Sequence, residues 1–265
     1  MKPPFCVLTI AGSDSGAGAG VQADARTIYA HGGYALMAIT ALTAQNTRGV
    51  QAWRAAPKGI LAEQVTAVLE DFPVAAVKTG LLPGATAVRV VAKILERRRE
   101  IPLVVDPVIG STSGTRFLSN AAVAALRKTL LLRAALVTPN WPEAAVIARR
   151  RVTTFDEAEA AAKALHDDCG CAVLVKGGHA PGDLCRDCLV TADGKVQWFE
   201  SARVETRNAH GTGCVLSAAI AARLARGDSL VEAVKGAREF LWKSLTEGRE
   251  FRWGNGDGVG PAFAG

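Results

Sequence analysis

Apolar and polar positions alternate along this chain in two repeating patterns. Short runs rich in aliphatic and β-branched residues are followed by longer stretches with apolar residues at helical spacing. Phe5 to Ala11 predicts a buried strand, and Val21 to His31 a helix that stops at Gly32-Gly33. The alternation continues with a strand near Ala35 to Thr40, a polar loop from Leu42 to Gly49, and a helix from Pro57 to Asp71. Strands are expected at Ala75 to Lys78, Leu103 to Asp106, Ala135 to Thr138 and Val173 to Lys176. Helices are expected at Thr86 to Arg98, Asn120 to Leu131, Pro142 to Arg149 and Asp156 to Asp168. Cys188 to Thr191 and Val196 to Glu200 predict a hairpin turning at Asp193-Gly194. An amphipathic run from Val215 to Leu224 and a helix from Leu230 to Glu247 complete the pattern, ahead of an irregular tail over residues 254–265.

Strands alternating with helices predict an α/β fold: a mostly parallel central sheet with helices on both faces, three layers in all. No repeat, linker or composition break divides the 265 residues, so a single domain is expected. The polar and glycine-rich segments all follow strand ends, which is the edge where open α/β sheets bind ligands. Gly12 to Gly20, Gln45, Gly80, Asp106, Asn140, Lys176 and the segment 208–214 should therefore share one rim.

Composition narrows the class without choosing the function. With 49% hydrophobic and 21% charged residues, a packed core is expected. The net charge of +6 favours anionic ligands. The basic runs 97–99 and 149–151 lie at expected helix ends without interleaved aromatics, so a nucleic-acid surface is not expected. The chain lacks a long charge-free apolar stretch and a signal-peptide pattern, which predicts a cytoplasmic protein with no membrane contact. Cys169, Cys171, Cys185 and Cys188 carry enough thiols for zinc, but the first spacing is short for a zinc knuckle, and free thiols are expected.

The segment Asn208-Ala209-His210-Gly211-Thr212-Gly213-Cys214 runs directly into the amphipathic stretch. A glycine-rich turn feeding a helix aims several N–H groups at one point, where the helix dipole favours an anion. Cys214 at such a site is expected to have a lowered pKa. Lys176, at a strand end, suits a phosphate. Asn140 and Glu143 form an N-x-x-E pattern that fits either Mg²⁺ oxygen ligands or a helix cap with its first-turn acid. Asp106, at another strand end, is a further candidate for metal or water. The Gln45 amide offers a donor beside an acceptor, matching an aminopyrimidine edge.

Several of these motifs also carry a resemblance. Ala-Gly-Ser-Asp at 11–14, Ala19 to Asp24, Thr40 to Thr47, Thr138-Pro139-Asn140, Val175 to His179 and His210 to Cys214 occur in one order. Together, over nearly the whole chain, they resemble the hydroxymethylpyrimidine/phosphomethylpyrimidine kinases of thiamine biosynthesis, within the ribokinase-like superfamily. The resemblance implies a homodimeric enzyme using ATP and Mg²⁺ to phosphorylate 4-amino-5-hydroxymethyl-2-methylpyrimidine and then its monophosphate. It implies a pyrimidine pocket of Gln45, Gly12 and Asp24, and phosphate contacts from Lys176, Gly211, Thr212 and Asn140. It further implies metal positioning by Glu143 and Asp106, with Gly211, Gly213, Lys176 and Cys214 at the transferring group. Cys214 stands where related sugar and pyridoxal kinases carry an aspartate base.

Two departures from the family pattern, Gly16-Ala17-Gly18 for Ser-Gly-Gly and Ala209 for threonine, each remove a hydroxyl. They keep open a catalytically silent pyrimidine- or nucleotide-binding protein. A pyridoxal kinase of the same fold is the nearest enzymatic alternative.

Overall fold

The computed structural model describes residues 3–110, 114, 116–255 and 258–262. The chain opens with β1 (Cys6–Asp14), α1 (Gly20–Ala30), β2 (Tyr34–Asn46), β3 (Gly49–Ala55) and α2 (Lys58–Asp71). It continues through β4 (Val74–Thr79), α3 (Gly84–Leu95), β5 (Leu103–Val105), α4 (Asn120–Lys128) and β6 (Leu136–Val137). Then come α5 (Trp141–Ala148), α6 (Phe155–Cys169), β7 (Ala172–Val175), β8 (Leu184–Val190), β9 (Val196–Ala202), α7 (Thr212–Arg226) and α8 (Leu230–Gly248). The strands form one sheet in the order β3-β2-β1-β4-β5-β6-β7-β8-β9. From β2 to β7 it is parallel, and β3, β8 and β9 add antiparallel edges.

Alternation along the strands divides the core between the two faces. Leu8, Ile10, Val77, Leu103, Val105, Val173 and Val175 point to one face, where α2 to α6 cover them with residues such as Val65, Val91, Leu126, Ile147 and Leu165. Val7, Ala76, Val104, Ala172 and Leu174 point to the other, under Ile28 of α1, Ile220 of α7 and Val234 of α8. Helix ends follow local chemistry. Ser119, Thr154 and Ser229 each cap a helix by accepting a backbone N–H, and Gly170 and Gly227 end helices in the left-handed region.

The predicted elements are present, with one substantive difference. The loop expected after Thr40 is strand: β2 runs on to Asn46 and pairs with β3, from Ala41↔Ala55 to Asn46↔Gly49. From Leu42 onward the positions alternate between exposed and half-buried, so no apolar run marks them in the sequence. The β8–β9 hairpin is likewise longer than its apolar centre. Of the tail, residues 256, 257 and 263–265 lie outside the described residues, but Val259 and Ala262 are tied by backbone bonds to Thr47 and His210. No helix among the described residues is long and apolar enough to cross a membrane.

The strand order reverses beside β1, since the chain passes from β1 to β2 on one side and later to β4 on the other. Such a reversal leaves a crevice at the strands' C-terminal ends.

Candidate active site

A cleft of about 820 Å³ opens there. It brings together Gly12, Gln45, Asp106, Asn140, Glu143 and Lys176, and also Gly211 to Cys214 at the start of α7. The expected rim is therefore real, with Gln45 on one wall and Lys176 on another.

Lys176 follows β7 and Asp106 follows β5, and their side chains meet at 2.9 Å with little exposure. Burial alone would lower the Lys176 ammonium, but the carboxylates of Asp106 and Glu143 hold it above the usual lysine range. It is a charged donor at neutral pH. Gly213 lies against it, and a Cβ there would stand 3.1 Å from Lys176 Nζ. Gly177, next along, lets β8 approach: a Cβ would fall 1.9 Å from the Arg186 carbonyl oxygen.

The turn into α7 has Gly211 at φ 82°, with no capping side chain. A Cβ on Gly211 would lie 1.9 Å from the Gly18 carbonyl oxygen, so only glycine joins the two glycine-rich segments this closely. The uncapped first turn faces the cleft, as an anion site requires.

Asn140 and Glu143 form a reciprocal capping box on α5: Glu143 N donates to Asn140 Oδ1 and Asn140 N to Glu143 Oε2, both at 2.9 Å. Glu143 Oε1 also stands 3.4 Å from Ile109 N. Burial pushes the Glu143 carboxyl up, against the pull of Lys176. Glu143 and Asp106 nevertheless both line the cleft and keep lone pairs free, which fits a Mg²⁺ that is bound mainly through water and substrate phosphates. Among the described residues no group of three or more His, Cys, Asp or Glu side chains could hold a metal by itself. All six cysteines are free.

Two expectations need correction. Asp24 does not reach the cleft. It is fully buried, accepts Lys78 Nζ at 2.8 Å on both oxygens and Thr9 Oγ1 at 2.5 Å, and so neutralises a lysine inside β4. The Cys214 thiol is raised, not lowered. It keeps a half-buried face to the cleft, but burial pushes it up to about 11, with Asp24 and Asp106 adding to the rise against the opposing charge of Lys78.

Two residues lining the site, Asp14 and His210, and one buried behind it, Lys78, were not singled out from the sequence. Asp14 is buried at the end of β1, where it accepts N–H groups from Gly16, Gly18 and Ala19 at 2.8 to 3.0 Å. The anion cradled by the first glycine-rich loop is thus the chain's own carboxylate. Burial would raise Asp14, but the bond from His210 and those backbone donors hold it below the usual range. His210 Nε2 lies 2.9 Å from Asp14 Oδ2 and 2.9 Å from the Gln45 amide. Lys78 is fully buried on β4, pairs with Asp24 and acts on the Cys214 thiol through its charge; a charged residue inside an apolar strand was the available signal. Ser15 Oγ accepts Gln45 N at 2.8 Å and donates to Gln45 O at 2.7 Å.

Residues 14–261 match the family described as phosphomethylpyrimidine kinase. The chain belongs to that family. A hydroxymethylpyrimidine/phosphomethylpyrimidine kinase of Rhizobium meliloti is 46% identical over 95% of this chain and 94% of its own length. The thiamine biosynthetic bifunctional enzyme TH1 of Arabidopsis thaliana is 45% identical, over 94% of this chain but 48% of that longer protein. This chain thus spans about half of the Arabidopsis enzyme. Among solved structures, a Bacillus subtilis pyridoxal kinase in an ADP complex superposes with TM-score 0.89 at 30% identity, over 98% of this chain and 97% of that one. A Clostridium difficile phosphomethylpyrimidine kinase superposes with TM-score 0.80 at 36% identity, over 91% and 99%. The ribokinase-like α/β fold and the kinase reading of the sequence both hold. The pyrimidine-kinase reading is better supported than the pyridoxal one, because the family match and these curated relatives carry it.

Proposed function

We propose that this protein transfers the γ-phosphoryl group of ATP to 4-amino-5-hydroxymethyl-2-methylpyrimidine, and then a second one to the resulting monophosphate. The observation that carries this reading is the single cleft joining Gln45 to Lys176 and the uncapped start of α7. A ring held by the Gln45 amide, with Gly12 lining the same cleft, directs its 5-substituent toward Lys176 and Gly211 to Cys214. The acceptor oxygen bonds to the γ-phosphorus while the bond to the bridging oxygen breaks, leaving ADP. Lys176, Thr212 and the N–H groups at Gly211 and Gly213 face the charge that shifts onto phosphate oxygens. Asn140 borders the phosphates. Glu143 and Asp106 would hold Mg²⁺, which when bound neutralises phosphate charge.

Cys214 fits the role of a neutral neighbour better than that of a base. A thiol raised to about 11 holds its proton at neutral pH. The loose transition state of phosphoryl transfer asks little of a base, and the hydroxyl proton can pass to a phosphoryl oxygen as the new bond forms. The monophosphate is already an anion and would be repelled by a carboxylate at this position. A homodimer joined through the β2–β3 extension is part of the same reading, supported by the exposed apolar side chains of Met37 and Leu42 on β2.

Steady-state assays with the alcohol and the monophosphate test the proposal: ATP consumption should depend on each. No turnover with either would overturn it. Pyridoxal is the control suggested by the Bacillus structure, and faster turnover of pyridoxal would favour that second reading.

A further inference from the structure

His210 is separated from Gln45 by 165 residues and from Asp14 by 196, yet one atom of its ring meets both. Nε2 is 2.9 Å from Asp14 Oδ2 and 2.9 Å from the Gln45 side-chain nitrogen. The close fit is built in. A Cβ on Gly18 would lie 2.4 Å from His210 Cδ2, and the backbone of His210 is held by Gly260 and Ala262.

Nε2 carries at most one proton, and Asp14 decides that it carries it. The Asp14 carboxylate already accepts three backbone N–H groups and lies below the usual carboxyl range, so it acts only as an acceptor. An acceptor at hydrogen-bond distance requires Nε2–H. A protonated Nε2 has no lone pair left for an amide N–H of Gln45. The two ends of a glutamine amide exchange by a half-turn, and the surrounding protons decide which end faces inward. The far end gives the same answer independently. Thr43 Oγ1 lies 3.5 Å from it and gives its own proton to the Ser13 carbonyl at 3.0 Å, leaving a lone pair that suits an N–H.

We propose that His210, locked by Asp14, is a positioning residue that turns Gln45 with Oε1 toward the imidazole and Nε2 toward Thr43, and thereby fixes which way round an aminopyrimidine edge is read. One lone pair and one N–H of the amide then remain for the ligand, in a set order. This rests on Gln45 being the pyrimidine reader of the proposed function. His210 acts through Gln45 and does not touch the reacting atoms.

The test is a double-mutant cycle on KM for the hydroxymethylpyrimidine, with KM for ATP and kcat measured alongside. His210→Leu should raise the pyrimidine KM about tenfold and leave the ATP KM within about twofold, the size expected for loss of an oriented hydrogen-bonding pair. His210→Gln, whose side-chain N–H reaches the place of Nε2–H, should recover most of that loss. In a Gln45→Ala background, His210→Leu should add less than about twofold. Equal effects of His210→Leu in both backgrounds would overturn the proposal, as would a glutamine variant no better than leucine. Should His210→Leu not fold, His210→Asn replaces it, since the shorter amide reaches only the place of Nδ1. Equal pyrimidine KM values for the asparagine and glutamine variants would then overturn the proposal. An unchanged KM in Gln45→Ala alone would strike the pyrimidine-reader role itself and the inference with it; a raised KM there with additive His210 effects strikes only the inference.

Discussion

The Lys176 ammonium lies 2.9 Å from the Asp106 carboxylate, although the two residues leave strands separated by β6. The pair holds a fixed cation over the first turn of α7, and nearby Glu143 adds to its retention of charge. Lys176→Met should lower kcat by about 100-fold or more, the cost of removing a preorganised donor from a transferring group. Its melting temperature should fall as well, because the buried Asp106 carboxylate loses its counter-charge. Rapid-quench kinetics and a thermal melt check the two halves. A kcat within about threefold of the parent would remove Lys176 from the transition state.

Gly213 is expected to act through the same ammonium. A methyl group placed 3.1 Å from Nζ displaces the tip of a flexible chain and leaves the backbone in place. Gly213→Ala should therefore lower kcat about tenfold with less than about 1 kcal/mol lost in urea denaturation. Gly211→Ala should differ. It places a side chain at φ 82° and drives it into the Gly18 carbonyl, so destabilisation of at least about 1–3 kcal/mol is expected. The contrast between the two neighbouring glycines is the measured quantity.

The Cys214 thiol, raised to about 11, should be almost wholly protonated at pH 7.5. Thiolate-dependent alkylation by iodoacetamide, followed at the peptide that contains Cys214, should be slow there. It should rise about tenfold per pH unit until the pH nears the thiol's own pKa. A rate that levels off near neutrality would reinstate a reactive thiolate. Cys214→Asp should impair phosphorylation of the monophosphate more than that of the alcohol, because only the former brings a full negative charge beside the new carboxylate. An undiminished second step would refute the repulsion account.

Lys78 and Asp24 form an ion pair with no solvent exposure on either side chain. Burial alone would lower Lys78, but the adjacent Asp24 carboxylate keeps it above the usual lysine range. Lys78→Met alone leaves a buried carboxylate without its counter-charge and should cost roughly 3–5 kcal/mol. Replacing the whole group, Lys78→Met with Asp24→Leu and Thr9→Val, should recover most of that loss. Chemical denaturation of the single and triple variants decides it. If the triple variant is no more stable than the single one, the pair contributes more than mutual neutralisation.

The sheet, its helices on both faces and the rim of polar segments were legible in the sequence because they depend on local periodicity and on glycine at turns. Cys6 to Ala11 and Val173 to Val175 are buried on both faces of the sheet, so their apolar runs mark strands directly. The far end of β2 was read as loop because Leu42 to Asn46 alternates without a buried side; pairing with β3 makes it strand. Asp24 was expected in the pocket through the family resemblance, and nothing near it in the sequence marks its partner. That partner, Lys78, comes 54 residues later.

The sequence alone determined the family, the order of elements and the candidates Gln45, Lys176, Asn140, Glu143 and Gly211 to Cys214, all of which rest on adjacent residues and their spacing. The tertiary structure alone decided which charges are neutralised, which thiol keeps its proton and how one amide is turned. Those properties depend on desolvation and on contacts between residues far apart in the chain. Asp14, Gln45 and His210 acquire a shared proton arrangement only when β1, β2 and the turn before α7 meet at one edge of the sheet.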